Sequence, residues 1–439
     1  MKVVHRRRPE LPRALAVVAA LLPAAGSFFG GVALVPAAAA ARELWADGER
    51  SASLVTSLKG SALVTRAPDD PLLFPAPVSA ETLWQLRLDL DARPTEAVQV
   101  GVAWQTGLRA ASAGSGLAAA SGILPGDALV AYRIRPLSWP IAVAPPGLSW
   151  RQELDRAFVA LQLGGARLTA GRQAVGWGRG VLFGAVDIFA PFPALQADRE
   201  WRAGVDAVRV DLRLAPRSSV DAVAAFGPSL DASAFGARFR GYVGQVDGEV
   251  VLGWRARDPF AGLTASAAIG EVEVHGEAAL FRTPEPWPGG WGGDGRLVPM
   301  AVAGVSWRIP AGKGIYALAE LYHSGFGAAH AGEVLASLLD PQVRGRLVRG
   351  DSQTLGRDTA AISLSYEASE EVTASLALFE SLQDGSGIVA PGVALRLGNR
   401  VTVSASVYPS WGRRPSAGAL GSFWGTTPIS AYLQVAVYD

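Results

Sequence analysis

The chain has 439 residues, of which 49% are hydrophobic and 18% charged, and its formal net charge at pH 7 is +1. Cysteine is absent, which excludes a disulfide framework and any thiolate metal site. The near-neutral charge gives no basic surface of the kind that nucleic-acid binding requires, so no nucleic-acid partner is predicted. No Gly-x-Ser-x-Gly or His-Glu-x-x-His motif occurs, and we predict no enzyme activity, no catalytic residue and no cofactor.

The first 41 residues have the three parts of a secretory signal peptide. A basic segment, MKVVHRRRPELPR, precedes an apolar stretch that ends in small residues near Ala39 to Ala41, as at a cleavage site. Pro23 and Gly26 interrupt the apolar stretch, which argues against a membrane-anchor helix as the alternative. The leader has five basic residues and one acidic residue, so removing its +4 from the +1 of the whole chain leaves −3.

After the leader, polar and apolar residues alternate with a period of two. In AVRVDLRLAP, for example, Val208, Val210 and Leu212 alternate with Arg209 and Asp211. Such alternation predicts β-strands with one apolar and one polar face. No run of 18 apolar uncharged residues remains, so no second membrane helix is predicted. An exported apolar chain of this kind is either a soluble all-β protein or a closed membrane barrel.

The number and length of the strands favour the barrel. About eighteen segments have the alternation, each near the ten residues that a transmembrane strand needs. Short turns and long loops alternate between them, as in barrels with short periplasmic turns and long outer loops. We therefore predict an all-β fold, a closed antiparallel transmembrane β-barrel of about 16–18 strands in the outer membrane. The segments begin near residues 82, 97, 128, 156, 166, 203, 219, 234, 248, 260, 271, 299, 314, 359, 371, 387, 400 and 429.

The predicted organisation is a signal peptide at 1–41, a periplasmic N-terminal segment at 42–80 and a transmembrane barrel at 81–439. Two features leave alternatives open. SALVTR, at 61–66, has the pattern of an extra strand within the N-terminal segment. A long Ala/Gly/Ser-rich connection, Thr106 to Asp127, stands where the alternation of loop lengths calls for a short turn. Either a strand near the start is miscounted or this is a long periplasmic loop.

One stretch, ELDRAFVALQLGGARLTAGRQAVGWGRGVLFGAVDIFAPF, breaks the alternation after a hairpin. Its pattern resembles alginate-export-like outer-membrane barrels and related porin-like barrels. The resemblance implies a pore through which a polysaccharide or another polar solute crosses the outer membrane. The matching residues are Asp155, Arg156, Gly171, Arg172, Gln173, Trp177, Gly178, Asp187, Phe189 and Pro191.

The loop that follows the hairpin, 174–200, is the predicted pore loop. Arg172 and Arg179 can pair with Asp187, which would fold the loop onto the wall and narrow the pore. With Gln173 and Trp177, these residues form the predicted constriction. The alternative is a loop that only closes the top of the barrel and touches no solute.

The polar strand faces predict a charged, water-filled lumen. Arginine predominates early in the chain and glutamate later, an arrangement that fits a small-solute porin as well as an exporter. Glu273, His275 and Glu277 share a face, but strand spacing spreads them along the wall, so no metal site is predicted. The predicted lumen-lining residues are Arg87, Arg133, Arg167, Arg209, Asp211, Arg213, Arg238, Arg240, Glu249, Glu273, His275, Glu277 and Glu320.

Three functions fit these patterns. The first is a channel that secretes a polysaccharide across the outer membrane, together with a periplasmic export partner. The second is a substrate-selective porin for the uptake of small polar or anionic solutes. The third is a non-conducting structural or surface-binding barrel. In each case the expected partners include outer-membrane lipid and the outer-membrane assembly machinery.

Overall fold

A computed structural model describes residues 41–114, 122–125, 130–142 and 147–439. The predicted signal peptide and the predicted strand start near 128 therefore lie outside the described residues. All strands form one sheet that closes on itself, a barrel of 18 antiparallel strands. This confirms the predicted fold class at the upper end of the predicted strand number.

Most of the wall strands have ten residues or more, enough to cross a membrane, and the strands follow one another round the barrel in chain order. They are β2 (Arg50–Arg66), β3 (Val78–Thr95), β4 (Val98–Ala111), β6 (Leu148–Leu163), β7 (Ala166–Gln173), β8 (Val205–Ala215), β9 (Ser218–Ala225), β10 (Ala234–Val243), β11 (Val246–Arg255), β12 (Asp258–Ile269), β13 (Val272–Arg282), β14 (Leu297–Ile309), β15 (Ile315–Ser324), β16 (Asp358–Glu367), β17 (Val372–Ser381), β18 (Gly387–Leu397), β19 (Val401–Tyr408) and β21 (Ile429–Tyr438).

Shorter elements accompany the wall. They are β1 (Arg42–Asp47), β5 (Ser138–Ala142), β20 (Ser410–Trp411), two 3-10 turns (Leu230–Ala232 and Ala331–Glu333) and the helices α1 (Val334–Ser337) and α2 (Pro341–Arg349). Within the described ranges, no helix is long and apolar enough to span a membrane.

The barrel closes between β2 and β21, with a register that runs from Ser57 opposite Tyr438 to Arg66 opposite Ile429. β1 pairs with β2 beyond the end of β21. The wall therefore begins at Arg50, and the prediction of a separate periplasmic segment at 42–80 is corrected. SALVTR belongs to the closing strand. The alternation of polar and apolar residues is hard to see in β2 because Gly60, at an outward position, has no side chain. The ring of Trp84 covers that position.

The early strand also explains the loop lengths. With β2 in the wall, the connection 112–147 between β4 and β6 falls on the long-loop side, and the irregularity near Thr106 disappears. The described residues from 130 to 137 contain no strand, so the strand expected after 128 does not continue there. The long loops, 67–77, 112–147, 174–204, 283–296, 325–357 and 409–428, all lie at one end of the barrel.

The two faces of the wall have opposite character. Outward apolar residues such as Val208, Val210 and Leu212 are exposed, whereas Arg209 and Asp211 between them face inward and are half-buried. A soluble protein would bury its apolar face, but a membrane barrel places it against lipid. The exposed leucines and valines on the outward face therefore mark the lipid-facing surface.

The buried core lies inside the barrel, and much of it belongs to the long loops. The segment between β7 and β8, residues 174–204, is hereafter the interior loop. Its apolar side chains lie deep in the barrel: Val175, Trp177, Leu182, Phe183, Val186, Ile188 and Phe189 are all buried.

Candidate functional site

The interior loop descends to about half the height of the wall. It meets Glu277, which lies midway along the eleven residues of β13. The approach is close because the loop has no side chain at Gly178, where φ is +104° and a Cβ atom would lie 2.5 Å from the Glu277 carboxylate. Both the backbone angle and the space require glycine at this position.

Glu277 holds the loop by its backbone. Its buried carboxylate accepts hydrogen bonds from the N–H groups of Arg179, Gly180 at 2.6 Å, Ala185 at 2.6 Å and Val186 at 3.2 Å. A loop without regular structure cannot satisfy these buried N–H groups itself, and an unpaired one is costly. Bonds to a charged acceptor are also stronger than neutral ones. One wall residue thus fixes four backbone positions.

Glu320, on β15, performs the same role for the middle of the loop. It accepts from the N–H groups of Val181 at 2.6 Å, Leu182 at 2.9 Å and Phe183 at 3.1 Å. Nε2 of His275 lies 2.9 Å from the same carboxylate. Glu320 is almost completely buried, so the loop and the histidine replace the water that a carboxylate would otherwise bind.

Charged and aromatic side chains of the loop also reach the wall. The guanidinium of Arg179 lies 2.7 Å from Asp247 and 3.6 Å from Glu249. The Trp177 indole N–H donates to Asp221 at 2.8 Å. These contacts attach the loop to β9 and β11, and the ring of Trp177 also packs edge-on against the ring of Phe189, with the centroids 4.8 Å apart.

The end of the loop is anchored on the other side of the barrel. Lys59 of β2, with 1% of its side chain exposed, lies 2.6 Å from both Asp198 and Glu200. Gln434 donates to Asp198 at 3.1 Å, and the hydroxyl of Tyr438 donates to Glu200 at 2.6 Å. Burial raises the pKa of Asp198, but the ammonium of Lys59 and the hydrogen bonds outweigh it and hold the pKa below its ordinary value.

These anchors place the loop across the lumen. β2 and β12 are nine strands apart in either direction round the 18-strand wall, so they face each other. The loop contacts β2 through Asp198, and it contacts β12 through the bond from Arg179 to Ser266 at 3.1 Å. The interior loop therefore spans the diameter of the barrel at about mid-height.

The charged residues of the predicted constriction have other partners than those expected. Asp187 pairs with Arg202 of the same loop, and Arg179 pairs with β11 as described above. Arg172 lies directly opposite Asp206 in the β7–β8 register, and its Nε is 2.6 Å from that carboxylate. The predicted pairing of both arginines with Asp187 is therefore wrong: Arg172 pairs across the sheet with Asp206, and Arg179 pairs with the wall at Asp247.

Gln173, predicted to be part of the constriction, belongs instead to the wall. Its side-chain amide donates to the carbonyl oxygens of Thr169 at 3.3 Å and Ala207 at 3.1 Å. It is buried and satisfies backbone groups at the point where β7 and β8 separate. Of the five predicted constriction residues, Trp177, Arg179 and Asp187 are on the interior loop.

Arg133 is not on the wall strand predicted to begin near residue 128; it lies on the inward-folded connection 130–137. It binds Asp155 at 3.2 Å, and Arg87 binds the same carboxylate at 2.8 Å. Asp155 is the extra residue of a β-bulge in β6, since the register shifts between Leu154 and Arg156. The bulge directs Asp155 inward, where it also accepts from the N–H of Gly204 at 3.0 Å, at the end of the interior loop.

The other predicted lumen residues lie on wall strands, on the face opposite the exposed apolar side chains. No group of three His, Asp or Glu residues that could hold a metal occurs in the described part of the chain. The predicted lumen residues that lie on wall strands are Arg87, Arg167, Arg209, Asp211, Arg213, Arg238, Arg240, Glu249, Glu273, His275, Glu277 and Glu320.

Several anchor residues could not be identified from the sequence. Lys59 lies in the segment assigned to the periplasm, and Asp198 and Glu200 have no local pattern that links them to it. In the sequence, Asp221 is only one polar residue of β9. In the structure it accepts from Trp177 and lies 3.0 Å from Nε of Arg209. The one available signal was the rarity of lysine, since a single lysine in a strand pattern suggests a specific partner.

Comparisons with known proteins agree with this fold. The sequence matches no protein-family model and no curated protein. Among solved structures, Pseudomonas aeruginosa OccK8 (OprE) is similar, with a TM-score of 0.51 and 10% identity over 88% of this chain and 98% of that one. Acinetobacter baumannii OccAB1 has a TM-score of 0.50 and 9% identity over 88% of this chain and 96% of that one.

At such low identity, the similarity establishes the fold and not the substrate. Both of these proteins are outer-membrane porins, whereas nothing supports the narrower resemblance to alginate-export-like barrels. The closed wall and its exposed apolar face independently require a membrane. The protein is an outer-membrane β-barrel with the architecture of the porins.

Proposed function

We propose that the protein is a substrate-selective channel for the uptake of small polar or anionic solutes. The observation that carries the proposal is the interior loop, which crosses the lumen and is held on opposite walls by charged residues. A loop in this position divides the cross-section of the barrel. Solutes that pass must be small, and they travel beside a wall lined with arginines and carboxylates.

The interior loop also favours uptake of small solutes over polysaccharide secretion. A polysaccharide would need a wide and continuous passage, whereas here seven backbone N–H groups of the loop are bonded to Glu277 and Glu320 inside the lumen. Displacing the loop would leave these groups and both carboxylates to find other partners. Secretion of a polymer is thus the less favoured function.

Transport by the purified protein tests the proposal. In planar bilayers we expect discrete conductance steps, and in liposomes we expect uptake of succinate and a monosaccharide but exclusion of a dextran. The reversal potential in a salt gradient measures the preference between anions and cations. An absence of conductance from correctly folded protein would favour the non-conducting barrel, and passage of the dextran would restore the polysaccharide channel.

A further inference from the structure

A second cavity, distinct from the charged lumen, lies among the long loops at the outer end of the barrel. It has a volume of about 350 Å³, and it is hereafter the outer chamber. Its lining comes from loops 67–77, 174–204, 325–357 and 409–428, from Gly122 of the connection 112–147 and from the adjacent ends of β16 and β17. The principal apolar residues of its lining are Phe74, Leu195, Leu335, Leu338, Phe423 and Trp424.

The outer chamber differs from the lumen because its lining is uncharged. None of the described residues that line it is Asp, Glu, Lys, Arg or His. Three of its hydroxyl groups are already used: those of Ser352, Thr354 and Thr426 donate to backbone carbonyl oxygens at 2.7, 3.0 and 3.2 Å. The side-chain oxygen of Gln353 accepts from the N–H of Gly184 at 3.0 Å. What the chamber offers to a ligand is therefore mainly apolar surface.

The rim of the outer chamber has an unusual distribution of polar and apolar groups. On α2, the charged Arg346 is buried and binds Asp258 at 2.5 Å and Asp351 at 3.1 Å. Leu347, which lines the chamber, is 37% exposed, and the nearby Leu339 is 78% exposed. These ion pairs inside the barrel fix α2 at the rim, where its Leu347 is exposed, as is Leu339 just before the helix begins. Exposed apolar surface beside a cavity is typical of a binding site.

We infer that the outer chamber is a binding site for an uncharged aromatic or alkyl group, the apolar part of a solute that enters from outside. A cavity of about 150 Å³ lined by Leu, Ile and Phe binds one benzene molecule. The volume of about 350 Å³ therefore corresponds to about two fused rings. The inference rests on the proposed channel function and adds a class of solute to it. Binding is measured without transport, so the binding site and the channel function can each fail independently.

The test uses 2-naphthol as the probe, an uncharged molecule of two fused rings, titrated by calorimetry into the full-length protein in detergent. We expect saturable binding of one molecule per chain. Leu335→Asp places a charge in the chamber from a half-buried position on α1, and it should weaken binding at least tenfold. 2-Naphthoate, which adds a carboxylate to the same rings, should also bind at least tenfold more weakly.

Leu230→Asp is the matched control, since Leu230 is an exposed leucine on another loop and does not line the chamber. It should bind 2-naphthol as the native protein does. Leu335→Ala, which adds no charge, provides a second variant if Leu335→Asp fails to fold, and it should weaken binding about threefold. Absence of saturable binding, equal binding by the Leu335 variants and the native protein, or equal affinity for 2-naphthoate would overturn the inference.

Discussion

The lumen around the interior loop and the outer chamber are built on opposite principles. The loop in the lumen is fixed by carboxylates and cations, as in the contacts of Glu277 and Lys59. The chamber presents leucine and aromatic side chains, and its polar groups bond to the protein itself. Charge-assisted bonds are directional and fix a position, whereas apolar contact is non-directional and tolerates different shapes. Under the proposed function, the outer region would capture the solute, and the middle region would select it by size and charge.

The largest expected effect comes from the main anchor of the loop. Glu277→Ala removes the acceptor of four buried N–H groups, each of which costs roughly 1–3 kcal/mol when left unpaired. The loop should leave its position, and single-channel conductance should rise severalfold. Glu273→Ala is the control, since Glu273 lies on the same strand and face but is exposed. Equal conductance of the two variants would contradict the role of Glu277.

The second prediction concerns the ion pairs of Asp351 that hold α2 at the rim of the outer chamber. Burial raises the pKa of Asp351, but the guanidiniums of Arg255, Arg349 and Arg346 outweigh it and hold the pKa below the ordinary value of 3.8. The ionised carboxylate therefore contributes stability that is complete above the unfolded-state pKa and is lost as the pH falls through the lower folded-state pKa.

Binding of 2-naphthol should therefore be constant between pH 7 and pH 5 and should weaken only below 3.8, as α2 detaches. The probe remains uncharged throughout, so its own titration does not contribute. Asp351→Asn should weaken binding already at pH 7. Unchanged binding in this variant would show that the ion pairs do not hold the chamber together.

A smaller effect is expected where the loop meets β11. Arg179→Gln removes the ion pairs to Asp247 and Glu249 in a largely buried setting, a loss of roughly 1–3 kcal/mol. Glu277 remains in place, so the channel should become noisier without a severalfold rise in mean conductance. Arg240→Gln, at the more exposed partner of Asp247, should have less effect. A larger change in conductance for Arg240→Gln than for Arg179→Gln would contradict the role of these ion pairs.

The smallest effect is expected for Asp187→Ala. Asp187 pairs with Arg202, which belongs to the same loop and is partly exposed, so the loss is roughly 1 kcal/mol or less. The anchors to the wall are untouched, and conductance should change less than in Arg179→Gln. A rise as large as that of Glu277→Ala would show that the contact within the loop controls its position.

The sequence predicted the wall better than the site, and the reasons are physical. Strands such as β8 are visible because lipid on one side and water on the other require alternation at every position. β2 was missed because Gly60 has no side chain at an outward position of the strand. The ring of the neighbouring Trp84 covers this position instead. The interior loop was visible as a break in the alternation. Its partners were not, because Arg179 binds Asp247, which is far away in the chain and comes close only when the loop folds into the barrel.

The most direct test of the central claim uses the absence of cysteine from the chain. A Cβ atom on Gly262 of β12 would lie 2.8 Å from Cγ1 of Val186 on the interior loop, which is close enough for a disulfide between Val186→Cys and Gly262→Cys. The measurement is the single-channel conductance of this double variant combined with Glu277→Ala, before and after reduction. We predict native conductance while the disulfide holds the loop across the lumen, and a severalfold rise when it is reduced. Conductance that is the same before and after reduction, with the disulfide verified by mass spectrometry, would contradict the claim that the interior loop narrows the pore.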